Sequence, residues 1–192
     1  SKGADLGFRK SLKDISYNLT AFYIDTEDEI VSYEIWGMNY YRNLGTSKRY
    51  GIELEGSYRP SKLNTFNASY TQANYEFTNQ LINAQLPGVP KSNFSVEWIY
   101  NKDTFYAKFD LKYAHSLFAD DMNQVKVPSF FLSNLALKNT YRIKDLEITA
   151  GLRIQNLFDE KYFDNIRLNA FGNRFYEPAS LRSYVFSLST NF

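Results

Sequence analysis

The stretch that decides the fold is DLEITAGLRIQNLF, residues 145–158. Every second residue from Leu146 to Ile154 is apolar, whereas the positions between them include Glu147 and Arg153. Because successive side chains of a β-strand point to opposite faces, this alternation predicts a strand with one apolar face and one polar face. Its length, roughly ten residues, is also what a tilted strand needs to cross a lipid bilayer.

The same alternation recurs along the chain. Clear examples are YGIELEGSY (50–58), FSVEWIY (94–100), TFYAKFDLKY (104–113) and the final RSYVFSLSTNF (182–192). Counting such segments predicts about nine strands in an antiparallel meander. The alternation predicts that three apolar residues share one face, and three polar residues the other: Phe109, Ile148 and Leu188 against Asp110, Glu147 and Ser189.

Some residues do not follow this alternation. Phe22 and Ile24 break the parity that Tyr17 and Leu19 set, and PSFFLSNLALKN (128–139) mixes apolar side chains on both faces.

Four short basic turns punctuate the segments: SLKD at 11–14, RPSKLN at 59–64, YNKD at 100–103 and RIKD at 142–145. They recur roughly every 40 to 50 residues, which indicates a repeated unit of strand, long loop, strand and tight turn. We expect the short turns at one end of the sheet and the long loops at the other.

The composition narrows the class of protein. Aromatic residues make up 18% of the 192 residues, with 16 Tyr and 16 Phe. The mean hydropathy is −0.45, and no run approaches the ~20 apolar residues of a spanning helix. A net charge of +1 argues against nucleic acid as a partner, because no basic excess neutralises phosphates. Without cysteine, disulfide frameworks and thiolate metal sites are excluded.

Two kinds of sheet fit the two-faced strands. A soluble β-sandwich would pack its apolar faces on each other. Against it stand the segregation of short turns from long loops, the scarcity of lysines that guard soluble sheet edges, and the aromatic content. A membrane barrel wall explains all three, because backbone groups in hydrocarbon must be paired within a closed sheet. This interpretation places the last residue, Phe192, at the lipid boundary.

Three motifs resemble one family. YRNLGTSKRYGIELEG (41–56), GLRIQNLFDEKYFDN (151–165) and RFYEPASLRSYVFSLSTNF (174–192) resemble the C-terminal barrel segments of TonB-dependent outer-membrane receptors, and most of all the ferric-siderophore and ferric-citrate group. The likeness runs along essentially the whole chain. One departure is Ser180 and Leu181, where many members have Gly or Pro before the arginine of the terminal strand.

The resemblance implies that residues 1–192 are the C-terminal portion of a transmembrane β-barrel of roughly 22 strands with a plugged lumen. The plug domain and the first barrel strands are then expected to lie outside this chain. We expect the nine strands not to seal into a barrel alone, since the first and last run in the same direction. The inward charged residues would line a wet lumen: Glu53, Glu55, Lys108, Asp110, Lys112, Glu147 and Arg153.

In this family, substrate contacts come from long loops and the upper lumen. The residues of this chain that the resemblance offers for substrate binding are aromatic, amide and arginine side chains: Trp36, Tyr40, Tyr41, Asn79, Gln80, Phe171 and Arg174. Aromatic rings and arginine suit an anionic or catecholate-like ferric chelate. For each residue taken singly, a place in the interfacial girdle or in loop packing is the simpler interpretation.

The sequence gives little support for a catalytic site or for a bound metal. The single histidine, His115, is expected near the outer end of a strand, and no G-x-S-x-G stretch accompanies it. DTEDEI (25–30) lacks the spacing of an EF-hand and predicts a solvated strand end. We therefore predict no catalytic residue, no metal site and no cofactor.

The predicted function is that of a receptor in the bacterial outer membrane that imports a ferric siderophore or similar scarce nutrient. Its expected partners are the chelate, outer-membrane lipid and lipopolysaccharide, the remaining barrel strands and plug, and the TonB complex through an N-terminal region. Two alternatives stay open: a passive porin, and a complete small barrel with a structural or enzymatic role.

Overall fold

The computed structural model of the protein describes residues 1–43, 45–78 and 84–191, with the backbone alone at residues 31–34. One short 3-10 helix, Phe171–Asn173, accompanies the strands of these ranges. The strands are β1 (Lys2–Ser11), β2 (Ile15–Thr26), β3 (Ile30–Ile35), β4 (Met38–Asn43), β5 (Ser47–Tyr58), β6 (Asn64–Phe77), β7 (Ser92–Lys102), β8 (Phe105–Ala114), β9 (Leu117–Phe118), β10 (Lys126–Val127), β11 (Phe130–Ile143), β12 (Leu146–Gln155), β13 (Phe163–Ile166), β14 (Tyr176–Pro178) and β15 (Ser183–Asn191).

Nine of these strands form one antiparallel meander, in the order β1-β2-β5-β6-β7-β8-β11-β12-β15. The sequence prediction of nine antiparallel strands is confirmed. The four basic turns connect β1 to β2, β5 to β6, β7 to β8 and β11 to β12, so all four lie at the same end, as predicted. The long loops lie at the opposite end, which we call the long-loop end.

The strand register sorts the side chains into two faces. Residues directly opposite one another in a sheet share a face. One row crosses seven strands and is wholly apolar or aromatic: Phe8, Leu19, Leu54, Tyr70, Phe94, Tyr113 and Phe131. The row beside it is almost wholly polar: Arg9, Asn18, Glu55, Ser69, Ser95, Lys112 and Leu132. We call these two surfaces the apolar face and the polar face.

The polar face is cross-linked by side-chain hydrogen bonds between neighbouring strands. Glu97 forms an ion pair with Lys108 and accepts a 2.8 Å hydrogen bond from Asn67. Asn134 donates to Asp110 at 2.7 Å, and other pairs of this kind are Ser69 with Ser95 and Thr140 with Thr149. The parity assigned from sequence, with Asp110 and Glu147 on the polar side, is confirmed by these pairings.

Aromatic rings gather on the apolar face near the short turns. Tyr58 stacks on Phe66 with ring centroids 6.4 Å apart, and Tyr100 contacts both Trp98 and Phe105 at 6.3 and 6.1 Å. Rings at this level are typical of the aromatic girdle of membrane barrels, where amphipathic rings sit at the lipid–water boundary. The expected position of Phe192 at that boundary falls outside the described residues.

The two departures from parity lie on the polar face, close to the long-loop end. Phe22 is opposite Gly51 and Ile24 is opposite Arg49, and both side chains are half-buried. Further along this face Phe77 is only 2% exposed. The polar face therefore becomes apolar where the loops cover it, which is why a strict two-residue alternation fails there.

The buried apolar clusters lie at the long-loop end of the molecule. The loops form three small hairpins, β3–β4, β9–β10 and β13–β14, where the sequence predicted loops without strands. A buried cluster joins the last two of them: Ala119, Val127, Ala170 and Phe175. By contrast Leu6, Phe186 and Leu188 on the sheet are more than 70% exposed, which a soluble sandwich core would not allow.

The sheet is open. β1 and β15 are its two edges, and the described residues contain no pairing between them. This agrees with the expectation that the nine strands do not seal into a barrel by themselves, and it disfavours a complete small barrel. No helix in the described ranges is long and apolar enough to cross a membrane.

The two faces are tested by placing arginine at neighbouring positions of β2. Leu19 lies between Phe8 and Leu54 on the apolar face, whereas Thr20 lies between Gly7 and Glu53 on the polar face. We expect Leu19→Arg to lower the free energy of unfolding by ~2–4 kcal/mol, because hydrocarbon does not solvate the charge. Thr20→Arg should cost far less. Urea unfolding of the intact receptor in lipid vesicles measures both, and equal losses would refute the assignment of faces.

Candidate ligand site at the long-loop end

Backbone hydrogen bonds hold three long loops together over the polar face. Gly88 donates to the carbonyl of Phe118 at 2.8 Å, and Asn169 donates to that of Ala119 at 2.9 Å. The segment after β6, the β9–β10 hairpin and the segment before the 3-10 helix are thereby joined. They form one platform above the polar face.

The box NLFDE (156–160) anchors the last of these loops. Asn156, 3% exposed, donates to the carbonyl of Glu160 at 2.8 Å and accepts from its amide at 2.8 Å. Its own amide donates to the Asn134 side chain on β11 at 3.0 Å. Asn156 adopts φ +53°, a conformation that Asn tolerates better than most residues. The motif thus anchors this loop to β11 through Asn156.

Removing the side-chain hydrogen bonds of Asn156 should loosen the loop without unfolding the sheet. We expect Asn156→Ala to cost about 1–3 kcal/mol of local stability, because the backbone carbonyl and amide of Glu160 lose their partners. Hydrogen exchange of residues 157–182 measures the change. The control Asn191→Ala alters a side chain of the same type on the edge strand, and it should leave that exchange unchanged.

The β3–β4 hairpin carries an exposed tryptophan at its tip. The turn residues Trp36 and Gly37 have φ of +55° and +80°, as the two central positions of a type I′ hairpin turn require. Glycine adopts this conformation freely, but a bulky residue rarely does. Trp36 is nevertheless 80% exposed, so the turn presents its ring to solvent at some conformational cost.

The structure brings together two of the residues proposed from sequence. The ring centroids of Trp36 and Phe171 lie 5.8 Å apart, although the two residues are far apart in the chain. Arg174 follows the 3-10 helix and is exposed. Tyr40 and Tyr41 lie on β4 below the tip, and Tyr41 is the more exposed. The remaining two candidates, Asn79 and Gln80, lie outside the described residues.

A cavity of about 280 Å³ lies where the loops meet the sheet. Its apolar wall includes Phe77, Leu86 and Leu168. Its polar groups come from both the loops and the strands: Glu29, Arg49, Tyr75, Asp121 and Asn169. The lining thus combines apolar side chains with convergent polar groups, as small-molecule sites do.

Glu29 is satisfied within the protein. It accepts 2.6 Å hydrogen bonds from the hydroxyl of Ser47 and from the guanidinium of Arg49. The sequence predicted that DTEDEI is a solvated strand end, and for Glu29 this is wrong. Glu29 directly precedes β3, and the start of β5 lies beside it. The Ser47 hydroxyl and the Arg49 guanidinium on β5 therefore reach the Glu29 carboxylate.

Asp121 is the unusual group of the cavity. It is 3% exposed, and neither carboxylate oxygen accepts a hydrogen bond from a described residue. Arg42 lies 3.7 Å from Oδ2, which is an ion pair but too long for a hydrogen bond. Desolvation raises the pKa of Asp121, and Arg42 and Asn169 offset this only in part. Charge on this carboxylate is therefore poorly compensated.

The raised pKa has a defined effect on stability. A carboxyl group whose pKa is higher in the folded than in the unfolded state stabilises the fold at low pH, and this contribution is lost as pH rises through the folded pKa. We expect Asp121→Asn to slow hydrogen exchange of residues 117–127 relative to the parent at neutral pH. The difference should shrink as the pH falls below the ordinary Asp range. A difference that does not change with pH would contradict this.

The comparisons with known proteins agree with this architecture. Residues 1–157 match the family model of the TonB dependent receptor-like beta-barrel. The chain belongs to this family. The expectation drawn from the three sequence motifs is thereby confirmed.

Solved structures of metal-uptake receptors and transporters share the fold. BauA, the ferric preacinetobactin receptor from Acinetobacter baumannii, is 17% identical with a TM-score of 0.77, over 99% of this chain and 29% of that one. FyuA, the ferric yersiniabactin uptake receptor from Yersinia pestis, is 20% identical with a TM-score of 0.78, over 98% and 29%. The copper transporter OprC is 18% identical with a TM-score of 0.75, over 98% and 29%. The chain thus spans less than a third of these proteins.

Sequence reasoning missed much of the receptor's cavity. Glu29 stood in an acidic run, and Asp121 stood in FADDMNQVKVP, a segment that indicated only a polar loop. No local signal distinguishes Asp121 from Asp120, whose carboxylate accepts hydrogen bonds from the amides of Gln124 and Val125. His115, as expected, follows the outer end of β8, where its ring contacts Tyr113 edge-on and Ser116.

Proposed function

We propose that the protein carrying this chain is a bacterial outer-membrane receptor that imports a ferric siderophore or a similar scarce metal chelate. The observation that carries the proposal is the contact between Trp36 and Phe171 at the tips of two loops. Family membership supplies the barrel, and the aromatic pair supplies a surface on which a ligand ring or metal chelate can stack. Arg174, in the same loop as Phe171, adds a charge that suits an anionic chelate.

We further propose that residues 1–192 form the C-terminal portion of the barrel. The support is physical: the two edges β1 and β15 are unpaired in the described sheet, and an unpaired edge is costly in lipid. Further strands of the receptor would pair with both edges. A plug inside the barrel would face the polar face, and a segment outside this chain would contact TonB.

The polar face has charged groups available for such an internal partner. Glu53 and Glu55 on β5 have no ion pair with a described residue, and neither do Lys138 and Arg153 on β11 and β12. Charges of this kind are stable only in contact with water or with complementary groups. They fit a wet lumen or a polar plug, and they do not fit hydrocarbon.

The names of solved relatives leave the metal open. BauA and FyuA are receptors for ferric chelates, whereas OprC is a copper transporter. At identities of 20% and below they support the fold alone. We propose a ferric chelate because exposed aromatic rings and an arginine at the loop tips suit an anionic chelate. Met38 and Met122 are exposed in the long loops, and their thioethers are soft ligands that favour copper as the second candidate.

Deleting the gene in the source bacterium tests the proposal. Under iron limitation, we expect the deletion strain to lose growth on one ferric siderophore of a panel, and to regain it with the gene on a plasmid. Uptake of radioactive iron in the same strain measures transport directly. Full uptake by the deletion strain with every chelate of the panel would reject the proposal. A gene with no plug of about 100–150 residues upstream of the barrel would favour a passive porin.

The aromatic pair is tested by alanine substitution. We expect Trp36→Ala and Phe171→Ala each to weaken binding of the transported chelate ~2–10-fold, since an aromatic contact contributes about 0.5–1.5 kcal/mol beyond its buried area. Because the two rings form one surface, the double variant should lose less than the two single losses combined. Binding is measured by titration calorimetry on the purified receptor.

The control for this experiment is Phe158→Ala. Phe158 is 72% exposed and belongs to the same long loop as Phe171. Its substitution should leave chelate binding unchanged. Equal losses in all three variants would show that exposed aromatic residues act through loop stability and not through contact with the chelate.

A further inference from the structure

The four basic turns form one continuous surface at the end of the sheet opposite the long-loop end. Backbone hydrogen bonds of 2.8 to 3.0 Å join each turn to the next, from amide to carbonyl: Arg59 to Asp14, Asn101 to Leu63 and Thr140 to Thr104. This surface, which we call the basic rim, consists of four segments: residues 10–14, 59–64, 100–104 and 142–145. We propose that the basic rim binds the headgroups of anionic phospholipids in the adjacent membrane leaflet. The transported ligand takes no part in this interaction.

The first reason is the excess of positive charge. The basic rim holds seven basic and three acidic residues, although the net charge of the whole chain is only +1. Arg142 forms an ion pair with Glu147 at 3.0 Å. The other six cations are exposed and form no ion pair with a described residue: Lys10, Lys13, Arg59, Lys62, Lys102 and Lys144. These six side chains are therefore available to an anionic surface.

The second reason is the position of two of these cations. Lys10 is directly opposite Tyr17, and Lys102 is directly opposite Phe105. Residues opposite one another share a face, so both lysines lie on the apolar face. Each of the two rings contacts a further aromatic ring, with centroid distances of 5.9 and 6.1 Å. A lysine at this level can lay its aliphatic stem along the lipid and hold its ammonium group among the headgroups.

The third reason is that apolar side chains accompany the cations in the turns. Leu12, Leu63 and Ile143 lie in three of the four turns, and all three are exposed. Cations next to exposed apolar groups are typical of segments that lie at the interface between water and lipid. A soluble acidic partner would bind the cations alone and would leave these apolar side chains in water. The combination therefore favours a membrane surface.

The charges of the rim select the class of lipid. Lysine and arginine form charge-assisted hydrogen bonds with phosphate oxygens. The headgroup of an anionic phospholipid presents a phosphate without a neutralising cation, and the attraction acts within a Debye length of the surface. A zwitterionic headgroup carries a cationic group that the rim cations repel. We therefore expect phosphatidylglycerol to be enriched over phosphatidylcholine at the rim.

Tryptophan quenching by brominated lipids measures this enrichment. Trp98 lies on the apolar face, and its indole N–H donates to Asn64 of the rim at 3.0 Å. The full-length receptor is reconstituted in phosphatidylcholine vesicles that contain an equal fraction of either brominated phosphatidylglycerol or brominated phosphatidylcholine. The difference between the parent and Trp98→Phe isolates the quenching of Trp98. We expect phosphatidylglycerol to quench ~2–5-fold more strongly at low salt, and the two lipids to quench equally at about 1 M salt, where the Debye length is ~3 Å.

Three variants assign the enrichment to the rim. Replacing all six cations that lack an ion pair by glutamine should abolish the preference for phosphatidylglycerol, and Lys10→Gln/Lys102→Gln should lower it to an intermediate value. Lys10→Arg/Lys102→Arg keeps both charges and should keep the preference. The matched control is Lys161→Gln, which removes one exposed lysine from the long loop between β12 and β13. It should leave the preference unchanged.

The results separate a lipid-binding rim from a general attraction between charges. Equal quenching by the two lipids in the parent receptor would overturn the proposal, and so would a preference that the glutamine variants retain. A loss as large in Lys161→Gln would assign the preference to overall charge and would overturn the proposal too. If the variant with six substitutions does not fold, the comparison of the Gln pair with the Arg pair decides alone. None of these measurements uses the transported chelate, so the proposed function stands or falls separately.

Discussion

Backbone hydrogen bonding in hydrocarbon is the constraint on which the rest of this structure depends. Lipid offers no partner for an N–H or C=O group, so each strand must be paired along its whole span. The register satisfies this for the seven inner strands, which pair on both sides. Strand length, tight turns at one end and the meander order all follow from it. Within the nine-stranded sheet of the described residues, β1 and β15 each keep one unpaired side.

The side chains of the paired sheet divide between an apolar face and a polar face. The surroundings of each face, and not packing into a shared core, explain this division. Five of the seven residues in the apolar row from Phe8 to Phe131 are exposed, as is typical of the outward face of a membrane barrel. Buried packing consequently moves to the long-loop end, where Ala119, Val127, Ala170 and Phe175 pack together. The loops are the part of the chain that folds like a soluble protein, and they carry the candidate site.

The sequence predicts the features that depend on period and neighbours. Alternation predicted nine strands, their faces and the position of the turns, and three motifs together predicted the family. Contacts between loops could not be predicted from the sequence. Nothing local ties Trp36 to Phe171 or Arg42 to Asp121, because each pair is joined by the fold across many strands. Phe22 and Ile24 broke the alternation for the same reason, since distant loops cover the polar face there.

The unfavourable features of the molecule are concentrated in those loops. Trp36 has a positive φ, Asp121 keeps a buried charge with weak compensation, and Asn156 and Asn169 adopt φ of +53° and +52°. Such features persist only where surrounding structure over-determines them, and they cluster at functional sites. Here the paired sheet, together with the bonds of Asn156, supplies that structure. The paired sheet thus stabilises the fold, and the loops hold the residues with positive φ and the poorly compensated carboxylate.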